Sequence, residues 1–216
     1  MATRTLYTFF RSSAAYRARI ALNLKGLAYE PVSVSLPDGD QFDAGYVALN
    51  PQRQVPTLID EDGATLIQSP AILEYLEEVY PEPPLLPQGA AARARVRGIA
   101  MAMGCDIHPL NNLRVLKYLR GPLGQDEAGV DAWIHNWTAL GLGAVETMLA
   151  SGEETGDFCH GDTPTLADVY LAPQVYHAQR FKAPLEDYPT IGRVHANAMK
   201  LAAFGDAYPD TQPDAI

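Results

Sequence analysis

Residues 5–26 read TLYTFFRSSAAYRARIALNLKG, and this stretch decides the architecture. Thr5 to Phe10 is a run of aromatic and β-branched residues, the composition of a buried strand. Arg11-Ser12-Ser13 follows without a spacer. Serine is a strong helix N-cap, Ala14, Ala18, Ala21 and Leu22 fall on one helical face, and Gly26 stands where a C-terminal cap belongs. The period then changes to two, with Val32, Val34 and Leu36 alternating with Ser33 and Ser35, which predicts a second strand. A strand, helix, strand unit of this kind favours parallel pairing through a right-handed crossover.

Downstream, Pro37-Asp38-Gly39-Asp40 is a loop and Val55-Pro56-Thr57-Leu58-Ile59 is the next strand. Asp60-Glu61-Asp62-Gly63 turns the chain into Ala64-Thr65-Leu66-Ile67, giving an antiparallel hairpin. Ser69 is placed as the cap of a further helix, with Pro70 at its first position and Ile72, Leu73, Leu76 and Val79 as its inward stripe. The order βαβ then ββα predicts an α/β domain over residues 1–82. The proline-rich run after Val79 leads into a linker over 83–90. From residue 91 to 216 the two-residue period is gone, and the sequence predicts an all-helical domain. Val130, Trp133, Ile134, Trp137, Gly141, Ala144, Val145 and Met148 form one helical stripe, Pro109 breaks a long helix over 91–120, and Thr165 with Asp168 is a capping box.

The composition bounds the function. At 216 residues, 47% hydrophobic and 19% charged, the chain can bury a core without disulfides, which excludes intrinsic disorder. No run approaches the ~18 apolar residues of a membrane span, and Met-Ala-Thr-Arg-Thr lacks a signal peptide's apolar core, so a cytoplasmic protein is expected. A net charge of −10 disfavours nucleic acid and membrane surfaces as partners. Cys105 and Cys159 stand too far apart for a zinc cluster or a redox pair, and both are expected to be free, mostly buried thiols. His135, His160, His177 and His195 lack metal-ligand spacing, so no metal is expected. The charge is uneven: residues 1–29 and 93–120 each carry +5. Either stretch could make a local field for small anions or simply a solvated helix face.

Two helix starts, at Ser12-Ser13 and Gln68-Ser69, and a strand entered through Val55-Pro56 suit a small, anionic, peptide-like ligand. Free amides and the helix dipole favour a carboxylate or thiolate, and serine hydroxyls add donors. Pro56 cannot extend a ladder, which leaves the Val55 N–H and C=O to pair with an extended ligand across a cis Val55-Pro56 bond. Each feature alone reads equally as ordinary punctuation; their occurrence in one half of the chain is what points to a ligand.

The chain resembles the zeta-class glutathione transferases, above all the bacterial glutathione-dependent maleylpyruvate isomerases and the related maleylacetoacetate isomerases. The resemblance rests on Phe10-Arg11-Ser12-Ser13, Tyr16 to Leu22, Ala48-Leu49-Asn50-Pro51, Gln54 to Leu58 and Gln68 to Ile72. The second half adds Gly104 to Arg114, Gly161 to Asp168 and Pro173-Gln174-Val175. It implies an N-terminal thioredoxin-like domain, a C-terminal helical domain, a homodimer and glutathione as cofactor. Ser12 and Ser13 would then face the glutathione sulfur with Arg11 beside them. Gln41, Val55, Gln68 and Ser69 would hold the tripeptide, with Asp106, His108 and Asn112 contributing from the helical half. Arg11, Arg114 and Arg180 match positions given to a small dicarboxylate substrate, for which a forked guanidinium is suited.

The implied reaction converts a maleyl keto acid to its fumaryl isomer in aromatic compound catabolism. Asp106-Ile107-His108-Pro109 resembles the maleylpyruvate enzymes more than the animal maleylacetoacetate enzymes. One departure stands out: Ala14 occupies the place of the cysteine in the usual Ser-Ser-Cys, which removes any protein thiol for reductive dehalogenation but leaves isomerisation possible. The rivals are a transferase conjugating glutathione to small α-halo acids and a glutathione-binding scaffold without turnover. On the residues alone, His108 reads equally as a hydrogen-bonded helix residue, Arg114 and Arg180 as surface arginines, and Trp133 with Trp137 as helix packing.

Overall fold

The computed structural model describes residues 3–215, and the chain divides into two units at Leu85–Leu86 and again at Met199–Lys200. In the first unit β1 (Arg4–Thr8) pairs in parallel with β2 (Tyr29–Ser33), Leu6 opposite Pro31. β1 also pairs antiparallel with β3 (Thr57–Ile59), Leu6 opposite Leu58, and β3 forms a hairpin with β4 (Thr65–Ile67). The sheet order is β2-β1-β3-β4. Its helices are α1 (Ser13–Leu24), α2 (Ala44–Leu49) and α3 (Ser69–Val79). This is the α/β order expected from the periodicity, with α2 added. Six residues are too few for a helical repeat to show in sequence.

Local chemistry explains where the elements start and stop. β2 ends before the Val34 and Leu36 alternation expected to carry it, because the Asp40 carboxylate accepts the Ser35 amide at 2.8 Å and turns the chain away. α1 ends as predicted at Gly26: this residue takes φ 65°, and the Leu27 amide reaches back to the Leu22 carbonyl at 2.9 Å. α3 starts one residue earlier than expected, with Gln68 as cap and Ser69 already inside the helix.

Four of the five basic residues in the first stretch are off any solvated face, and Arg11 is half-buried. Arg4, Arg17, Arg19 and Lys25 are all buried. Arg4 Nε lies 2.6 Å from Asp60, and Lys25 Nζ donates to Glu77 at 2.9 Å and to the Tyr80 and Pro83 carbonyls. Arg19 donates to Thr8 Oγ1 at 2.9 Å and to the carbonyls of Phe10 and Ala207. Ala207 belongs to the C-terminal tail, which corrects the expected domain boundaries. Residues from Lys200 onward belong to the first unit, not to a helical domain running from 91 to 216. The tail is tied down by Asn23 on the Ala203 carbonyl and by the Phe10 amide on the Asp214 carboxylate at 3.0 Å. With that cover in place α1 is buried on nearly all sides rather than along one stripe.

The second unit is helical: α4 (Ala90–Met101), α5 (Leu113–Arg120), α6 (Glu127–Ala150), α7 (Leu166–Arg180) and α8 (Pro189–Ala198). The long helix expected over 91–120 is broken, but already before Pro109, by a π-helical stretch at Ala102–Ile107. That widened turn points Met103 and Ile107 inward and leaves Cys105 exposed, so only Cys159 is the buried thiol expected of both. The inward row of α6 is Val130, Ile134, Thr138, Leu142, Val145 and Leu149, while Ala144 and Met148, expected on it, are exposed. The capping box at α7 is present, and Asp168 accepts from the Thr165 amide and hydroxyl at 2.8 and 2.9 Å and from the Cys159 amide at 2.8 Å.

Candidate active site

In the first unit the start of α1 is open to a ligand. Ser12 has extended backbone, and its Oγ accepts the Ala15 amide at 3.2 Å. That bond occupies a lone pair and leaves the hydroxyl proton to donate elsewhere. The Ser13 and Ala14 amides meet no acceptor among the described residues, and the Ser13 side chain is buried. Two free amides, two hydroxyls and the positive end of the helix dipole favour an anion at this point. Arg11 adjoins them, its guanidinium stacked 4.7 Å from the centre of the Phe10 ring.

The loop before β3 offers a peptide edge. The Val55–Pro56 bond is cis, and the Val55 N–H and C=O have no backbone partner among the described residues. Sequence reasoning gave no role to the side chains that hold this loop. Asn50, 1% exposed, donates to the Gln54 carbonyl at 2.7 Å and to Thr57 Oγ1 at 3.1 Å, and accepts the Gln52 amide at 3.0 Å. Tyr46 also donates to the Gln54 carbonyl, at 2.5 Å. An asparagine followed by proline gives no hint of this, because its partners are set only once the loop has folded back.

At the start of α3, Gln68 takes φ 70° and ψ 115°, a conformation that a residue with a Cβ holds at a cost of about 1–3 kcal/mol. Its side chain donates to Gln52 Oε1 at 2.6 Å. Ser69, buried at the first helical position, accepts from the buried Arg17 at 3.5 Å. Arg17 thus places a cation at a helix N-terminus, a pairing that selects carboxylate. The sequence shows Arg17 only as one of five basic residues. Gln41 is buried, and its Oε1 has no partner among the described residues while Nε2 donates to the Leu36 carbonyl at 3.4 Å. A buried acceptor without a donor fits a ligand amide.

In the second unit Asp106 is exposed on the π-helical stretch and His108 follows it, half-buried. Asn112 caps α5 by accepting the Arg114 amide at 3.1 Å, and the Arg114 side chain is exposed. These four residues come from one turn and the helix start after it. Arg180 ends α7, exposed, with its guanidinium 4.9 Å from the centre of the Phe181 ring. His177, one turn earlier, is pushed down to about 4 by burial and by the Arg180 charge, so it is a neutral ring at neutral pH. No cluster of three or more His, Cys, Asp or Glu side chains among the described residues is arranged to hold a metal ion. No helix among them is long and apolar enough to cross a membrane.

Comparison with known proteins places this arrangement. The N-terminal domain of glutathione S-transferases matches residues 11–79. A maleylpyruvate isomerase from a Ralstonia species is 50% identical over 97% of the chain and 99% of its own length. The holo structure of a maleylpyruvate isomerase, a bacterial glutathione S-transferase of the zeta class, superposes with a TM-score of 0.96 at 50% identity, covering 98% of this chain and all of that one. A maleylacetoacetate isomerase from Methylobacterium extorquens AM1 with bound malonate and GSH gives a TM-score of 0.95 at 42% identity, over 98% and 99% of the two chains. With a two-unit organisation, an open α1 start and full-length relatives of this kind, the chain belongs to the glutathione S-transferase family, in its zeta class.

Proposed function

We propose that this protein is a glutathione-dependent cis-trans isomerase that converts a maleyl keto acid to its fumaryl isomer, with maleylpyruvate the favoured substrate over maleylacetoacetate. The observation that carries the reading is the open start of α1, where the Ser13 and Ala14 amides lack an acceptor and Ser12 keeps its proton to give. The donor set of the first unit fits glutathione: the free peptide edge at Val55, the unpartnered Gln41 Oε1, and Ser69 with Arg17 at the α3 start. The maleylacetoacetate isomerase with malonate and GSH bound supports the same pairing of tripeptide and dicarboxylate.

Glutathione, when bound, supplies the sulfur that adds to the cis double bond, permits rotation and leaves again unchanged. The protein's part is to hold that sulfur as an anion near neutral pH, against a free thiol pKa of about 8.5, through the Ser12 and Ser13 hydroxyls and the α1 amides. Gln41, Val55, Gln68 and Ser69 hold the rest of the tripeptide, with Asp106, His108 and Asn112 assigned to it from the second unit. Arg11, Arg114 and Arg180 take the substrate carboxylates and stabilise the charge that develops on its carbonyl oxygen, about 3 kcal/mol for a well-placed donor. Ala14 keeps a protein thiol out of this chemistry. Assembly as a homodimer and a cytoplasmic location belong to the same proposal.

The test is turnover of maleylpyruvate by purified protein with and without glutathione, followed by loss of the enol chromophore in the presence of a fumarylpyruvate hydrolase. Activity should require glutathione. Arg114→Ala should lower kcat/KM for the maleyl substrate by about 100-fold, as expected for loss of one charge-stabilising donor. An unchanged kcat/KM would remove Arg114 from the site.

A further inference from the structure

The turn that carries His108, Asn112 and Arg114 is gripped by side chains from two other helices of its unit. Trp133, from α6, donates its indole N–H to the Leu110 carbonyl at 2.9 Å. His177, from α7, faces the backbone of the next residue, Asn111. Its Nδ1 is sealed from solvent and has no partner among the described residues, so Nε2 is the nitrogen able to donate to that carbonyl. The Asn111 side chain, 5% exposed, reaches Thr138 on α6 at 3.4 Å. The two carbonyls immediately before the cap of α5 therefore face side-chain donors from α6 and α7, and the first of them is bonded. Within the turn itself the Asn111 and Asn112 amides make only long bonds, 3.2 and 3.4 Å, to His108 and Pro109.

We propose that Trp133 and His177 are positioning residues for substrate recognition: their bonds to Leu110 and Asn111 set the turn that presents Arg114 to the maleyl substrate. His177 lies on α7, one helical turn before Arg180. The inference rests on the assignment of Arg114 to the substrate. Neither residue touches substrate, and both act through the backbone they hold.

Three variants test this. His177→Phe keeps a ring against Phe181, 4.7 Å away in the native protein, and removes the donor. His177→Gln restores an amide N–H at the reach of Nε2, and Trp133→Phe removes only the indole donor. The Phe variants should raise KM for the maleyl substrate about five- to tenfold, the scale set by one hydrogen bond, with a smaller rise in the KM for glutathione through His108 and Asn112 on the same turn. His177→Gln should recover most of the His177→Phe loss. A purely structural role would instead lower the melting temperature and the active fraction while leaving both KM values alone, and that result overturns the proposal. Arg114→Ala in the same assay separates the two claims. If Arg114→Ala changes nothing, the substrate assignment has failed; if it raises KM and the Phe variants do not, only the positioning role has failed.

Discussion

Ser12 has two tasks that a single substitution can separate. Its Oγ caps α1 and its proton is free for a ligand sulfur. Ser12→Ala should lower stability by about 1 kcal/mol, the usual loss of a cap. It should also raise the pKa of bound glutathione by about one to two units, the equivalent of one hydrogen bond to a charged group. Ultraviolet titration of the thiolate on the protein checks the second effect; a drop in melting temperature with an unmoved thiol pKa would leave Ser12 a cap and nothing more. Residues of this kind were legible because a cap is written within four positions of chain. Arg17, Asn50 and His177 were not. Arg17 and Ser69 are 52 positions apart and His177 is 66 from Asn111, so nothing local marks them.

Among the elements, the hairpin, the α7 capping box and the α1 stop were readable for the same local reason, and the misplacements have local causes too. β2 ended early because Asp40 captured the Ser35 amide, and the helix over 91–120 broke early because a π-helical turn seats Ile107 against α6. At Gly141 an added Cβ would lie 2.2 Å from Ile107 Cγ1, so α6 can approach that turn only through glycine. The start of α3 allows strain and binding to be told apart. Gln68 holds φ 70°, which glycine adopts freely, so Gln68→Gly should leave stability unchanged or slightly raised. The same variant should weaken glutathione binding about tenfold by loss of a ligand amide, measured by calorimetry. Binding equal to wild type would take the Gln68 side chain out of the site.

At the scale of the molecule, charge is where sequence and structure part most. Basic residues counted along the chain leave a local field for small anions and a solvated helix face both open; folding buries Arg4, Arg17, Arg19 and Lys25 and leaves Arg11 half-buried at the start of α1. This has a consequence for acid stability. Burial pushes the Asp60 carboxyl up, but hydrogen bonds from Tyr75, the Glu61 backbone and Tyr80, with Arg4 alongside, bring it below the ordinary carboxylate range. A depressed folded pKa contributes stability that is complete above about pH 4 and is lost as pH falls through the folded value. His177 acts in the same direction at higher pH: its unfolded ring takes a proton near pH 6.5 that the folded ring refuses until about 4. Asp60→Asn breaks an ion pair whose side chains are 5% and 1% exposed, and should lower the melting temperature at pH 7 by about 6–20 °C. The difference from wild type should close below about pH 4; a constant difference down to pH 2 would mean that Asp60 is not the titrating group.

The central claim is that the protein borrows the sulfur of glutathione and returns it. The most direct measurement is the ratio of fumaryl product formed to glutathione consumed, by proton NMR of the two isomers together with a thiol titration of the same sample. The account predicts many products per glutathione with the thiol titre unchanged. A thiol titre that falls one for one with loss of the maleyl substrate, or product formed equally well without glutathione, would contradict it.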